Sequence, residues 1–275
     1  MSIITVASTK GGAGKSTLAS NLFAYHLSEG KGGDALLVDT DIQKSLTSWA
    51  AIRQDDANLR QGLCIEKTGK DIHVALTNLT GKYETIFVDV PGNASMEFRG
   101  ASLVADVLVY PVRPSNFDAW VFNNDLEVIE QLRIVNQNLR VLIVFNGLSC
   151  LSNIQAGEAR MLRSYLANYS GFEIANSVIC NRPVFSSLVG GGRGIADIVG
   201  NPISDVDIAA LAEAKAKAKA KALTKAKAKA KAKGRALPQE EEIEVGLTPE
   251  ERAFDEVGSL YREIFSLIGG AQNGR

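Results

Sequence analysis

Thr9-Lys10-Gly11-Gly12-Ala13-Gly14-Lys15-Ser16-Thr17 stands between an apolar run, Ile3-Ile4-Thr5-Val6-Ala7, and a segment with helical spacing that begins at Leu18. Strand, glycine-rich turn and helix start, in that order, are the setting of a phosphate-binding loop. Glycine has no Cβ, so the backbone can wrap an anion and turn successive N–H groups toward it. The helix that follows adds the positive end of its dipole. In such a loop Lys15 reaches the β and γ phosphates of a nucleotide, and the Ser16 hydroxyl can ligate Mg²⁺. Gly11, Gly12, Ala13, Gly14 and Thr17 complete the cradle.

Beyond the loop, short continuous apolar runs recur and end in polar residues: Ala35-Leu36-Leu37-Val38-Asp39, Thr85-Ile86-Phe87-Val88-Asp89, Val107-Leu108-Val109-Tyr110 and Val141-Leu142-Ile143-Val144-Phe145. Runs of this kind suit parallel strands buried on both faces. Helical stretches alternate with them, notably over 118–135. The pattern predicts an α/β fold: a doubly wound, mainly parallel sheet flanked by helices. In such sheets ligands gather at the carboxyl ends of the strands. Asp39, Asp41, Asp89 and Asn146 all fall at such ends.

Composition bounds the rest. The 275 residues suffice for one large domain, and 45% hydrophobic with 22% charged residues is ordinary for a soluble globular chain. A formal net charge of −1 points to no partner by itself. Cys64, Cys150 and Cys180 lack the spacing of a metal or redox motif and read as reduced thiols of a cytoplasmic protein. The two histidines, His26 and His73, lie far apart, which argues against a structural His metal site. No run is long enough to span a bilayer.

The loop departs from the general pattern G-x-x-x-x-G-K-[ST] at its first position, Thr9, and carries an extra lysine, Lys10. In the form K-G-G-x-G-K-[ST] it resembles the deviant Walker A motif of the ParA/MinD/Soj partition ATPases. The resemblance implies a P-loop ATPase that hydrolyses ATP with Mg²⁺. Lys15 holds the chain's own nucleotide, and Lys10 reaches across a homodimer interface to the partner's. Asp39-Thr40-Asp41-Ile42-Gln43 matches the family's D-x-D-P-Q element except that Ile42 replaces proline. By resemblance Asp39 lies near the Mg²⁺ shell and Asp41 orients the attacking water. A helix N-cap is the alternative for such a carboxylate. Asp89-Val90-Pro91-Gly92 has the form of the second switch, with Asp89 holding Mg²⁺ through water.

Three further stretches carry the resemblance less far. Pro114, in Pro111-Val112-Arg113-Pro114-Ser115, follows a strand where the family has its base-side segment. Asn146 stands where the family commonly reads adenine, and an amide is suited to that; beside Gly147 it could equally be a turn residue. Arg182 and Arg193, in a late segment with the glycine triplet Gly190-Gly191-Gly192, are candidate DNA contacts, or else ion-paired arginines.

Residues 212–234 alternate alanine and lysine almost without break, with nine lysines from Lys215 to Lys233. Alternate positions splay around a helix and leave no apolar stripe, and like charges repel, so a helix-to-coil segment with little tertiary contact is expected. Lys215, Lys217, Lys219, Lys225, Lys227 and Lys229 would bind nucleic acid through phosphates, without sequence preference; a solvated linker, screened by the acidic run 240–244, is the plainer alternative. Thr248-Pro249-Glu250-Glu251 opens a last helix with an apolar stripe and an acidic surface, which suits core docking better than a membrane.

The expected organisation is an ATPase core over 1–204, a Lys/Ala-rich then acidic insert over 205–246, and a docked helix over 247–275. The expected function is a cytoplasmic, nucleoid-associated ParA-type ATPase. It dimerises on ATP, binds nonspecific DNA, and partitions plasmid or chromosomal DNA when a centromere- or cargo-binding partner stimulates hydrolysis. No membrane association is expected. The alternatives are a MinD-like membrane-associated regulator and a positioner of protein cargo.

Overall fold

Strands that are apolar at every position need cover on both faces, and the sheet has it. A computed structural model describes residues 1–31, 34–92, 95–114, 116–199, 205–232 and 247–272. The first half runs β1 (Ser2–Val6), α1 (Lys15–Ser28), β2 (Ala35–Asp39), α2 (Ser45–Asp55), β3 (Leu63–Glu66), α3 (Ile72–Leu79), β4 (Thr85–Asp89) and α4 (Met96–Val104). Then follow β5 (Val107–Val112), α5 (Asn116–Val135), β6 (Arg140–Leu148), α6 (Ser152–Leu166), β7 (Glu173–Cys180), α7 (Pro183–Val189) and α8 (Ile195–Ile198). Two long helices, α9 (Asp205–Ala232) and α10 (Pro249–Gln272), complete the described chain.

The strands pair in the order β3-β2-β4-β1-β5-β6-β7, every pair parallel. The doubly wound parallel sheet read from the apolar runs is therefore present. Side chains alternate across it. Ile4, Val6, Leu37 and Phe87 join one core with α1, α2, α8 and α10, while Ile3, Leu36, Val38, Ile86 and Val88 join the other with α3, α4, α5 and α6. Because β1 is flanked by β4 and β5, the chain leaves β1 where the winding reverses, and the loop Thr9–Gly14 lies at that crevice.

α10 is part of this architecture rather than an appendage. The Thr248 N–H donates to Glu251 at 2.9 Å and the Glu251 N–H donates to the Thr248 hydroxyl at 3.1 Å, a reciprocal capping box. Ala253, Val257, Leu260, Tyr261 and Ile264 are buried against α1 and the sheet. The polar side of α10 closes the open edge of β7. Glu263 accepts the N–H groups of Asn176 and Ser177, both at 2.8 Å, and Glu256 accepts the Cys180 N–H at 3.0 Å.

The insert differs from expectation. Residues 205–232 form one continuous helix, so the favourable helix propensities of Ala and Lys outweigh the repulsion among lysines. Lys217 pairs with Glu213 one turn earlier at 2.5 Å, in the favourable order along a helix. Nor is the segment without tertiary contact: α9 touches α8, and Lys215 pairs with Glu251 of α10 at 2.9 Å. The domain boundary at residue 204, the acidic run 240–244 and the side chain of Lys229 lie outside the described residues.

The last glycine of the triplet has a physical reason. Gly192, at φ 63°, packs so closely on α2 that an added Cβ would lie 2.5 Å from the Arg53 nitrogen. Beneath it the fully buried Arg53 is held bidentately by Asp197, at 2.7 and 2.9 Å. The two interactions fasten the late loop to α2.

At the α1–α10 contact, His26 is buried with Nδ1 2.9 Å from the Tyr261 hydroxyl. Burial, helped by the charge of Lys31, lowers its pKa from 6.5 to about 4. Between those values the unfolded chain binds the extra proton and the folded chain refuses it, so stability falls as pH drops from 6.5 toward about 4. The full effect is on the order of 3 kcal/mol. Urea unfolding across that window should show the loss, and His26→Gln, which cannot titrate, should flatten it.

Candidate active site

Three strand ends meet under the loop. Asp39 ends β2, Asp89 ends β4 beside it in register, and Val6 of β1 pairs with Asp89 on the other side. Two fully buried carboxylates thus stand side by side. Their surroundings separate their roles. Asp39 accepts the Asp41 N–H at 3.0 Å and the Thr47 N–H at 2.8 Å, so its carboxylate satisfies the first turn of α2. Among the described residues the Asp89 carboxylate accepts only from the Ser16 hydroxyl, at 2.6 Å, and its Oδ1 is buried without a hydrogen-bond partner. Burial raises the Asp89 pKa to about 7; the neighbouring Asp39 and Asp41 charges add to the rise, while Ser16 and Lys15 oppose it.

An orphaned carboxylate oxygen beside a serine hydroxyl suits a hard divalent cation such as Mg²⁺. Among the described residues no group of three or more His, Cys, Asp or Glu has the arrangement of a metal site. A cation here would therefore complete its shell with water and ligand oxygens, as Mg²⁺ commonly does.

Lys15 lies at the centre. Its side chain is buried and Nζ donates to the Lys10 carbonyl at 3.0 Å. Desolvation lowers its pKa, against the fields of Asp89, Asp41 and Asp125. Gly14 caps α1 in the left-handed region, at φ 87°, with no side chain engaging the helix start. The first-turn N–H groups of α1 are thus open to an anion. A Cβ at Gly14 would also sit 2.4 Å from Asn146 Nδ2. Gly92, in the loop after β4, approaches so closely that its Cβ would lie 3.0 Å from both Gly11 Cα and Lys15 Nζ. Lys10 is half-buried, while Gly11 and Gly12 are exposed.

Asp41 is half-buried, and its Oδ1 accepts the Gln43 N–H at 2.9 Å. Ile42, where a proline would stiffen the loop, is 78% exposed. A cleft runs from Gly12, Ala13, Gly14 and Thr17 to Asn146 and Arg182. Asn146 Nδ2 donates to the Ala13 carbonyl at 2.6 Å, which ties the end of β6 to the loop. At the end of β5 the cleft is lined by Arg113, whose Nη1 donates to the Gly12 carbonyl at 3.1 Å; Pro114 stands one residue behind it. Arg113 went unrecognised in the sequence although it lies inside a quoted motif.

The arginines assigned to DNA have other partners. Arg182 is 9% exposed, lines this cleft, and pairs with Glu256 of α10 at 2.5 Å, the ion-paired alternative of the two readings. Arg193 is a quarter exposed and pairs with Asp56 at 3.3 Å. Of the six lysines named for DNA, Lys217, Lys225 and Lys227 are exposed, Lys219 is half-buried, and Lys215 is engaged with Glu251.

The two neighbouring carboxylates should respond oppositely to mutation in metal-free protein. Asp39→Ala leaves the half-buried Asp41 and Thr47 N–H groups without their acceptor and should cost about 1–3 kcal/mol. Asp89→Asn keeps an acceptor for Ser16 and removes a buried charge, so it should be neutral or stabilising. Urea unfolding in EDTA distinguishes the two.

Comparison with known proteins adds to this geometry. The family described as the CobQ/CobB/MinD/ParA nucleotide binding domain matches residues 4–195. Protein ParA of Rhizobium radiobacter is 29% identical over 189 residues, which is 68% of this chain and 82% of that protein. Maintenance of carboxysome distribution protein A of Halothiobacillus neapolitanus is 28% identical over 144 residues, 52% of this chain and 65% of that one. The solved structure of the septum site-determining protein MinD of Pyrococcus horikoshii, complexed with Mg-ADP, superposes with a TM-score of 0.53 at 17% identity, over 74% of this chain and 90% of that one.

Proposed function

The chain belongs to the CobQ/CobB/MinD/ParA nucleotide-binding family, and we propose that within it this protein is a ParA-type, Mg²⁺-dependent ATPase that dimerises on ATP and binds nonspecific DNA. The observation that carries the proposal is the loop itself: a buried Lys15 beside Asp89, with a second lysine, Lys10, four residues after the end of β1. An ordinary phosphate-binding loop has no use for that second cation. The similarity to ParA of Rhizobium radiobacter supports the partition reading.

In the proposed reaction Lys15 releases the Lys10 carbonyl and binds the phosphate oxygens, beside the N–H groups at the start of α1. Ser16 and Asp89, with Asp39 behind them, would hold Mg²⁺, which supplies charge compensation at the phosphates. Asp41 orients the attacking water. Lys10 reaches the partner's nucleotide and makes dimerisation depend on the γ-phosphate. Asn146 and the segment around Pro114 border the base end of the cleft. The exposed lysines of α9 supply nonspecific attraction to DNA phosphates, and a cargo-bound partner stimulates hydrolysis.

A second reading, positioning of a protein cargo, uses the same ATPase and DNA binding. The similarity to the carboxysome distribution protein favours it. The membrane-regulator reading has less support, because the apolar stripe of α10 is packed in the core.

Lys15→Ala should abolish ATP binding in calorimetry. Lys10→Ala should bind ATP yet remain monomeric with ATP in size-exclusion chromatography; a dimer of that variant counts against the crossing lysine. DNA titrations across salt concentrations, with ATP and with ADP, test the remainder. Deleting residues 215–233 should reduce the slope of log affinity against log salt by several units, about 0.9 for each DNA phosphate the shortened chain no longer neutralises.

A further inference from the structure

Asp125 is a buried carboxylate on α5, 2% exposed, to which the proposed reaction gives no part. Its Oδ2 accepts the Thr9 N–H at 3.0 Å and its Oδ1 accepts the Thr9 hydroxyl at 2.7 Å. The Tyr110 hydroxyl of β5 donates to the same carboxylate. A carboxylate is costly to bury unless donors surround it, and here two of the donors come from one residue of the loop.

That residue occupies the position where the general loop pattern has glycine. Glycine would offer Asp125 only its N–H, whereas threonine adds a hydroxyl. Lys10 follows directly, and its carbonyl is the acceptor for Lys15 Nζ. Two residues after Lys10, the Gly12 carbonyl is held by Arg113. The main chain of Lys10 thus lies between two anchors, one on α5 and one at the end of β5.

We propose that Asp125 is a positioning residue for the phosphate-binding loop, clamping Thr9 so that the main chain at Lys10 is fixed before nucleotide arrives. The departure from the glycine pattern and the buried carboxylate on α5 are two halves of one device. It acts through the loop and touches no nucleotide. The proposal rests on the ATPase reading for its effect on turnover, but the clamp itself is a contact within the chain that can be read without turnover.

The test uses the full chain with Asp125→Asn, Thr9→Val and Thr9→Ser, and the Asp125→Asn/Thr9→Val double variant. Hydrogen exchange without nucleotide reads the clamp: the Thr9 amide should exchange at least tenfold faster in Asp125→Asn, a loss comparable to one charge-assisted hydrogen bond. Should that variant not fold, Thr9→Val removes the hydroxyl from the loop side and is read in the same way, by faster exchange at Lys10 and Gly11. Steady-state hydrolysis reads the consequence. Asp125→Asn and Thr9→Val should each lower kcat/KM about tenfold or more, the double variant should be no worse than the worse of these two, and Thr9→Ser, which retains both donors, should recover most of the loss. Unchanged exchange overturns the clamp. Faster exchange with unaltered kcat/KM overturns its positioning role, as does a Thr9→Ser variant as impaired as Thr9→Val. A parent chain that fails to bind ATP overturns the ATPase reading instead, and the exchange measurement still decides the clamp.

Discussion

One ammonium group kept out of water sets the terms for the cleft. Lys15 is buried among the fields of Asp89, Asp41 and Asp125, and its ammonium donates to the Lys10 carbonyl. A buried cation with that neutral partner is held short of its best arrangement. Phosphate oxygens would supply what the carbonyl cannot. The same imbalance exists nearby in the opposite sense, where Asp89 leaves one oxygen without a donor. Cation and carboxylate are both under-satisfied, and a metal–phosphate pair is complementary to the two together.

The surrounding structure holds these groups in place from several directions. Asp39, in register with Asp89, fastens the first turn of α2. Arg53 and Gly192 fasten α2 to the late loop. Asn146 and Arg113 each reach a carbonyl of the phosphate-binding loop from the ends of β6 and β5. Almost every element that ends at the crevice therefore touches the loop or a residue beside it. Such convergence is what a preorganised site requires.

The central architecture was legible because its signals are local. Continuous apolar runs marked β1, β2, β4, β5 and β6, and those strands form the middle of the sheet. The two edge strands carried no such run: β3 is half-exposed Leu63-Cys64-Ile65-Glu66, and β7 mixes Asn176 and Ser177 among its apolar residues. Edge strands lose apolar continuity because one side or one end faces solvent or a covering helix. The loop residues Lys10 to Thr17, with Asp39 and Asp89, could be placed from motif and strand end alone. Arg113 and Asp125 could not, since their importance arises from contacts across more than a hundred residues of chain. The ion pair of Arg182 was not assignable for a related reason, since its partner Glu256 lies on another element. The Lys/Ala segment failed differently: charge repulsion was weighed above intrinsic helix preference, and the latter prevailed.

The contact between α10 and β7 also bears on how the molecule behaves in company. A terminal strand with free amide groups is a template on which another chain can polymerise. Glu256 and Glu263 occupy three of the β7 amides from the side, which blocks that edge of the sheet to a further strand. The helix that completes the core thus also shields one edge of the sheet.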